Sequence, residues 1–109
     1  MKRMMICLTV CVLVFWTAAA GAGEGPRSEE QVKIDNFSFI PGTLTVKAGT
    51  MVTWINKDDV PHTVVSTTKK FSSHVLDTDD KYAHTFTDPG TYEYYCSVHP
   101  HMKAKVIVQ

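Results

Sequence analysis

From Val32 to the C-terminus the chain reads as short runs in which apolar and polar residues alternate, each ended by a turn signal. Val32-Lys33-Ile34-Asp35, Leu44-Thr45-Val46-Lys47, Met51-Val52-Thr53-Trp54-Ile55-Asn56 and His62-Thr63-Val64-Val65 form the first half of the pattern. Tyr82 to Thr87, Gly90 to Cys96 and Lys103 to Val108 form the second. A period of two with β-branched and aromatic residues is the mark of half-buried strands, and no stretch carries a capped apolar stripe at helical spacing. Pro41-Gly42, Ala48-Gly49, Lys57-Asp58-Asp59 and Asp88-Pro89-Gly90 supply the punctuation. This pattern predicts an all-β sandwich. Ser66 to Lys81 is polar and mixed in charge, and reads as a long loop with one weak edge strand and no assigned function.

The N-terminus is a different kind of sequence. Lys2 and Arg3 precede an apolar run from Met4 to Ala20, and small residues follow at Ala18-Ala19-Ala20 and Ala20-Gly21-Ala22. This is the layout of a secretory signal peptide cleaved near residues 20–22. The alternative is an uncleaved anchor, for which the run is short against a membrane span of roughly 20 residues. The expected organisation is therefore a signal peptide over 1–22, a flexible leader over 23–31 and one domain over 32–109, with no stable membrane insertion after cleavage. With 11 basic and 11 acidic residues, the chain has no broad positive field and no nucleic-acid partner is expected. Of the three cysteines, Cys7 and Cys11 fall in the signal segment, so the exported domain keeps Cys96 alone. A single thiol in an oxidising compartment must be buried or bound.

Cys96, His99 and Met102 follow one another at spacings of three, directly after a predicted strand, and His62 opens another segment after Pro61. Thiolate and thioether suit Cu(I), imidazole suits both copper oxidation states, and two His, one Cys and a weak Met make up the donor set of a blue copper centre. Each residue also has a plainer reading. Cys96 and Met102 can be core packing, and His62 an ordinary loop histidine. His74, His84 and His101 read as strand or surface residues, and Trp54, Tyr92 and Tyr94 as core aromatics. A thiol enzyme would need an Asn or Asp to orient the histidine, and none is evident. Zinc is not usually closed by Met.

The run Gly90-Thr91-Tyr92-x-Tyr94-x-Cys96-x-x-His99-Pro100-x-Met102, with Val52-Thr53-Trp54-x-Asn56 leading to Pro61-His62, resembles the cupredoxins, the small blue copper proteins. The short Cys-to-Met spacing is most similar to the amicyanin subfamily. The resemblance covers residues 32–109. It implies a Greek-key β-sandwich of about eight strands with one copper ion per chain at one end, bound by His62, Cys96, His99 and Met102. It also implies a periplasmic, monomeric one-electron carrier whose redox protein partners dock transiently at the copper end, with copper storage or delivery as the alternative. Two positions depart from the pattern: Thr63 stands where an Asn usually braces the ligand loop, and His101 stands where an aromatic residue is usual.

Pro100 confines His99 to extended backbone and removes one N–H from the loop that carries the thiolate. Every donor to the sulfur weakens its donation to Cu(II), so Pro100→Ala, by restoring an N–H, should raise the reduction potential. Voltammetry checks this, and an unchanged or lowered potential would count against it.

Overall fold

Period-two burial decides which way each strand faces. The structure is a computed structural model and describes residues 28–109. The proposed signal peptide and residues 23–27 of the leader lie outside the described residues. Eight strands follow in order: β1 (Glu29–Asp35), β2 (Ser38–Ile40), β3 (Thr43–Val46), β4 (Thr50–Asn56), β5 (Val65–Ser66), β6 (Lys81–Phe86), β7 (Gly90–Tyr95) and β8 (Lys103–Val108). They form two four-stranded sheets, ordered β2-β1-β4-β6 and β3-β8-β7-β5. In each sheet one pair is parallel, β1 with β4 and β3 with β8. Such pairs need long crossovers, and here the chain passes between the sheets to make them.

β1 starts three residues before Val32, inside the stretch read as leader. Glu29, Glu30 and Gln31 pair in parallel with Met51, Val52 and Thr53, yet all three side chains are exposed. A strand end held only by its backbone leaves no alternation to read.

Between the sheets lie Val32 and Ile34 from β1, Val52 and Trp54 from β4, Tyr94 from β7, and Val106 and Val108 from β8. Trp54 is the hub of this core. Its indole stacks on Phe71 (5.8 Å, 29°) and meets Tyr94 edge to face (5.4 Å, 84°), with Tyr82 at 5.7 Å. Burial among these groups pushes the Tyr94 phenol up to about 12, so it stays neutral. The inward alternation of Tyr92 and Tyr94 runs on to Cys96, the first residue past β7, and turns its sulfur toward one end of the core.

The segment after Pro61 is mostly not a strand. His62 makes an isolated bridge with Leu76, and only Val65–Ser66 joins a sheet, paired with Tyr95 and Tyr94. The polar stretch expected as a long loop with one weak edge strand and no assigned function supplies what holds this segment. His62 N–H donates to Leu76 O (3.1 Å) and Leu76 N–H to His62 O (2.8 Å), while Val64 N–H donates to Ser73 Oγ (2.8 Å). Phe71 and Leu76 are both buried in the core. Two apolar anchors in a sixteen-residue, mostly polar stretch give no period, which is why the stretch reads as loop.

Leu76→Ala should therefore behave as a core truncation and lower stability by about 2–5 kcal/mol. His74→Ala, at an exposed neighbour, should stay within about 0.5 kcal/mol. Urea midpoints of the two variants make the comparison, and equal small losses would show that the loop is not anchored.

Candidate metal centre

The centre is assembled from two chain segments at one end of the sandwich. The first is the connection from β4 to β5, which carries His62. The second is the short return from β7 to β8, which carries Cys96, His99 and Met102. That return is closed on itself: Met102 N–H donates to His99 O (2.9 Å), and Cys96 N–H donates to Met102 O (3.1 Å). Both bonds pull Met102 back beside Cys96, and its side chain is buried in the core cluster.

Three donor atoms converge. Nδ1 of His62 and Nδ1 of His99 each lie 3.8 Å from Cys96 Sγ and 3.2 Å from one another. A point equidistant from these three atoms is about 2.1 Å from each, which is the length of a bond from a metal ion to nitrogen and close to one to sulfur. His62 and Cys96 are fully buried and His99 half-buried. Among the described residues this is the one His, Cys, Asp and Glu cluster with such geometry. His101 and His74 are exposed, and His84 packs at 5.0 Å against the Phe71 ring, so all three stand apart from the centre.

Two of the donors, His62 and Cys96, are oriented by bonds to neighbours. Asp58 Oδ2 lies 2.8 Å from His62 Nε2. A carboxylate only accepts, so Nε2 carries the proton and Nδ1 presents its lone pair to the centre. Phe37 N–H donates to the same oxygen (3.0 Å). That N–H first, and the His62 ring second, hold the Asp58 carboxyl below the usual carboxylate range against the opposing effect of burial. Asn56, fully buried at the end of β4, ties the connection together: its amide donates to Val60 O (2.9 Å) and Leu76 O (2.8 Å), and its Oδ1 accepts from Asp58 N–H (2.9 Å).

Thr63, which stands where an Asn is usual, joins the two segments. Its Oγ1 accepts from Ser97 N–H (2.8 Å) and lies 2.7 Å from Ser97 Oγ, joining the two ligand segments. Its own N–H donates to Cys96 Sγ (3.4 Å). The two segments come close enough for a hydroxyl to span them.

Sequence reasoning singled out His62, Cys96, His99 and Met102 and missed Asp58, Ser97 and Phe37. Lys57-Asp58-Asp59 read as turn punctuation, and nothing in a turn signal says that one of two adjacent carboxyls is buried. An Asp four residues before a ligand histidine was the available hint.

The donor set answers which ion fits. A buried thiolate between two imidazoles, with a thioether on the same closed loop, matches copper better than zinc, whose closed sites are built from Cys and His without Met.

Comparison with known proteins agrees with this geometry. Residues 5–108 match the family model of the cupredoxin-like domain. Amicyanin-alpha of Methylorubrum extorquens is 36% identical over 104 residues, covering 85% of this chain and 87% of that protein. The chloroplastic plastocyanin of Tetradesmus obliquus is 36% identical over 84 residues, covering 65% of this chain and 58% of that protein. Among solved structures, a purple cupredoxin from Nitrosopumilus maritimus superposes with a TM-score of 0.70 at 35% identity, covering 73% of this chain and 99% of that one.

Burial pushes the Cys96 thiol up, but the Thr63 N–H, the His62 ring and the His99 N–H and ring outweigh it and bring it from 9.0 down to about 6. Between these two values the folded copper-free protein is ionised at Cys96 while the unfolded chain still binds the proton, so stability rises with pH. It is lost as pH falls through about 6. Denaturant midpoints of the copper-free protein should climb across this window, and Cys96→Ser should remove that climb. Parallel profiles for the two proteins would show that the thiol is not ionised in the fold.

Proposed function

The chain belongs to the family of cupredoxin-like domains, and from that membership we propose that it is a small blue copper protein that carries single electrons, with His62, Cys96, His99 and Met102 as the ligands of one copper ion. When bound, the copper supplies a Cu(II)/Cu(I) couple exchanging one electron. The observation that carries the reading is the convergence of two imidazole nitrogens and one thiolate sulfur within 4.8 Å at the buried end of a sandwich.

The remaining work falls to the protein. Asp58 keeps the His62 proton on Nε2, and Thr63 and Ser97 hold the two ligand segments together before any ion arrives. A frame made of β-sheet ends and hydrogen bonds offers both oxidation states the same donor positions, so little atomic movement accompanies the electron. Met102, drawn in by its N–H bond to the His99 carbonyl, would supply the weak thioether donor. The same frame argues against storage or delivery, because fully buried His62 and Cys96 make poor exchangeable ligands.

No catalysis is proposed. The chain also resembles part of a copper-containing nitrite reductase from Thermus scotoductus, but covers only 23% of that chain, and four protein ligands leave no place for a substrate. No helix among the described residues is long and apolar enough to cross a membrane. With the basic and apolar N-terminal run, we read a periplasmic protein released by cleavage near residues 20–22 and working as a monomer. His99 is the one imidazole ligand that reaches solvent, and exposed Val98 and Phe37 beside it form an apolar rim suited to brief docking with redox proteins.

Addition of Cu(II) to the mature domain should give an intense blue thiolate-to-copper band and narrow copper hyperfine splitting in EPR, both absent in Cys96→Ser. A colourless protein, or ordinary tetragonal Cu(II) features that survive the substitution, would refute the assignment.

A further inference from the structure

The hairpin joining β1 to β2 contains a residue whose backbone is at odds with its side chain. Asp35 pairs with Ser38, so Asn36 and Phe37 are the whole turn, with φ of 51° and 56°. A two-residue hairpin turn with both centres left-handed favours Asn at the first position and Gly at the second. Asn36 follows the rule. Phe37 breaks it, because a Cβ in this region crowds the following carbonyl. Unfavourable backbone of this kind persists where the surroundings over-determine it. Here two things do. The Phe37 N–H is bound to Asp58 Oδ2, the oxygen that also receives His62 Nε2–H. The ring stands perpendicular to both ligand imidazoles, with centroids 5.6 Å from His62 and 5.0 Å from His99 and interplanar angles of 89° in each case.

Packing alone does not explain a phenylalanine there, since the side chain remains half exposed and a glycine would relieve the backbone. We infer that Phe37 is a positioning residue that fixes the orientation of the two copper-binding imidazoles, His99 above all. The inference rests on the copper reading of the site.

The two histidines differ in what else restrains them. His62 is fully buried and its Nε2 is anchored by Asp58. Among the described residues the polar contacts of the His99 ring run through Nδ1, the atom facing the centre. Its outer edge has no polar anchor, and its neighbours Ser97, Val98 and Pro100 are exposed. Rotation of that ring would swing Nδ1 away from the sulfur. An aromatic ring set edge to face is the restraint available, because perpendicular rings attract through their quadrupoles and resist reorientation. Asp58 couples the two halves: one carboxylate oxygen places the Phe37 backbone and sets the His62 tautomer together.

The test compares Phe37→Ala, which removes the side chain, Phe37→Leu, which keeps apolar bulk without a ring, and Phe37→Tyr, which keeps the ring. In the copper-free protein, imidazole NMR signals of His62 and His99 should be narrow in wild type and Phe37→Tyr. In Phe37→Ala and Phe37→Leu those of His99 should broaden or split, while signals of the distant His84 stay unchanged. In the copper-loaded protein, loss of the ring contacts should speed copper release to an excess of chelator by about tenfold for Ala and Leu and by less than about twofold for Tyr. If Leu matches wild type in both measurements, the residue acts only as apolar cover and the inference falls. It also falls if Ala changes neither. A wild-type protein that bound no copper would refute the copper reading, while the NMR comparison in the copper-free protein would still decide whether Phe37 orients the rings.

Discussion

The short contact between the Asp58 carboxylate and the His62 ring is the interaction on which the rest of the centre depends. It decides which nitrogen carries the proton, and so which nitrogen can face a metal. It also stands at the meeting point of three pieces of chain. The β1–β2 turn reaches it through Phe37, the end of β4 through Asn56, and the long connection before β6 through Leu76. Remove the carboxylate and the buried imidazole would lose its tautomer while the turn lost the acceptor that holds it. A histidine enclosed on all sides needs such a partner, because an unpaired polar group away from water is expensive.

The second half of the centre obeys a different logic. Cys96 inherits its direction from the strand before it, as the next inward position after Tyr92 and Tyr94. Its loop then closes by two backbone bonds within seven residues. Nothing polar from the core supports it, so its register against the His62 segment comes from the Thr63 hydroxyl and N–H. Rigid strand ends supply direction, and a few side-chain bonds supply spacing. That division lets a small sandwich bring donors from distant parts of the chain to bonding distance of one point.

Strand alternation made the architecture legible, because inward positions two apart, such as Val32 and Ile34, Val52 and Trp54, and Val106 and Val108, are buried, and the turn pairs between strands are chemically distinctive. The four proposed ligand positions stood out for another reason: a thiol, an imidazole and a thioether follow one another at spacings of three directly after a strand, and folding brings the first two beside His62. Where reading failed, the signal was missing. Glu29 to Gln31 pair through backbone alone, and Phe71 and Leu76 are isolated anchors in a polar stretch. Asp58 matters through a partner that folding brings to it, and Phe37 through a turn that its side chain opposes. Thr63 illustrates the converse. It departs from the family pattern, yet spacing between segments is a tertiary property, and here it suits a short hydroxyl.

The parallel pairing of Thr43–Val46 with the final strand has a consequence for biogenesis. In its sheet β8 lies between β3 and β7, so an early strand waits for the last six strand residues of the chain before it can dock. On the export route proposed above, a polypeptide threaded outward from its N-terminus cannot complete the sandwich while its tail is still in the translocation channel. Contacts of such long sequence separation also form slowly once the chain is free. Throughout that interval Cys96 is an uncovered thiol, open to oxidation in the compartment proposed above. The C-terminal strand therefore acts as the keystone of the domain, and its arrival ends the period in which the cysteine can be lost to oxidation.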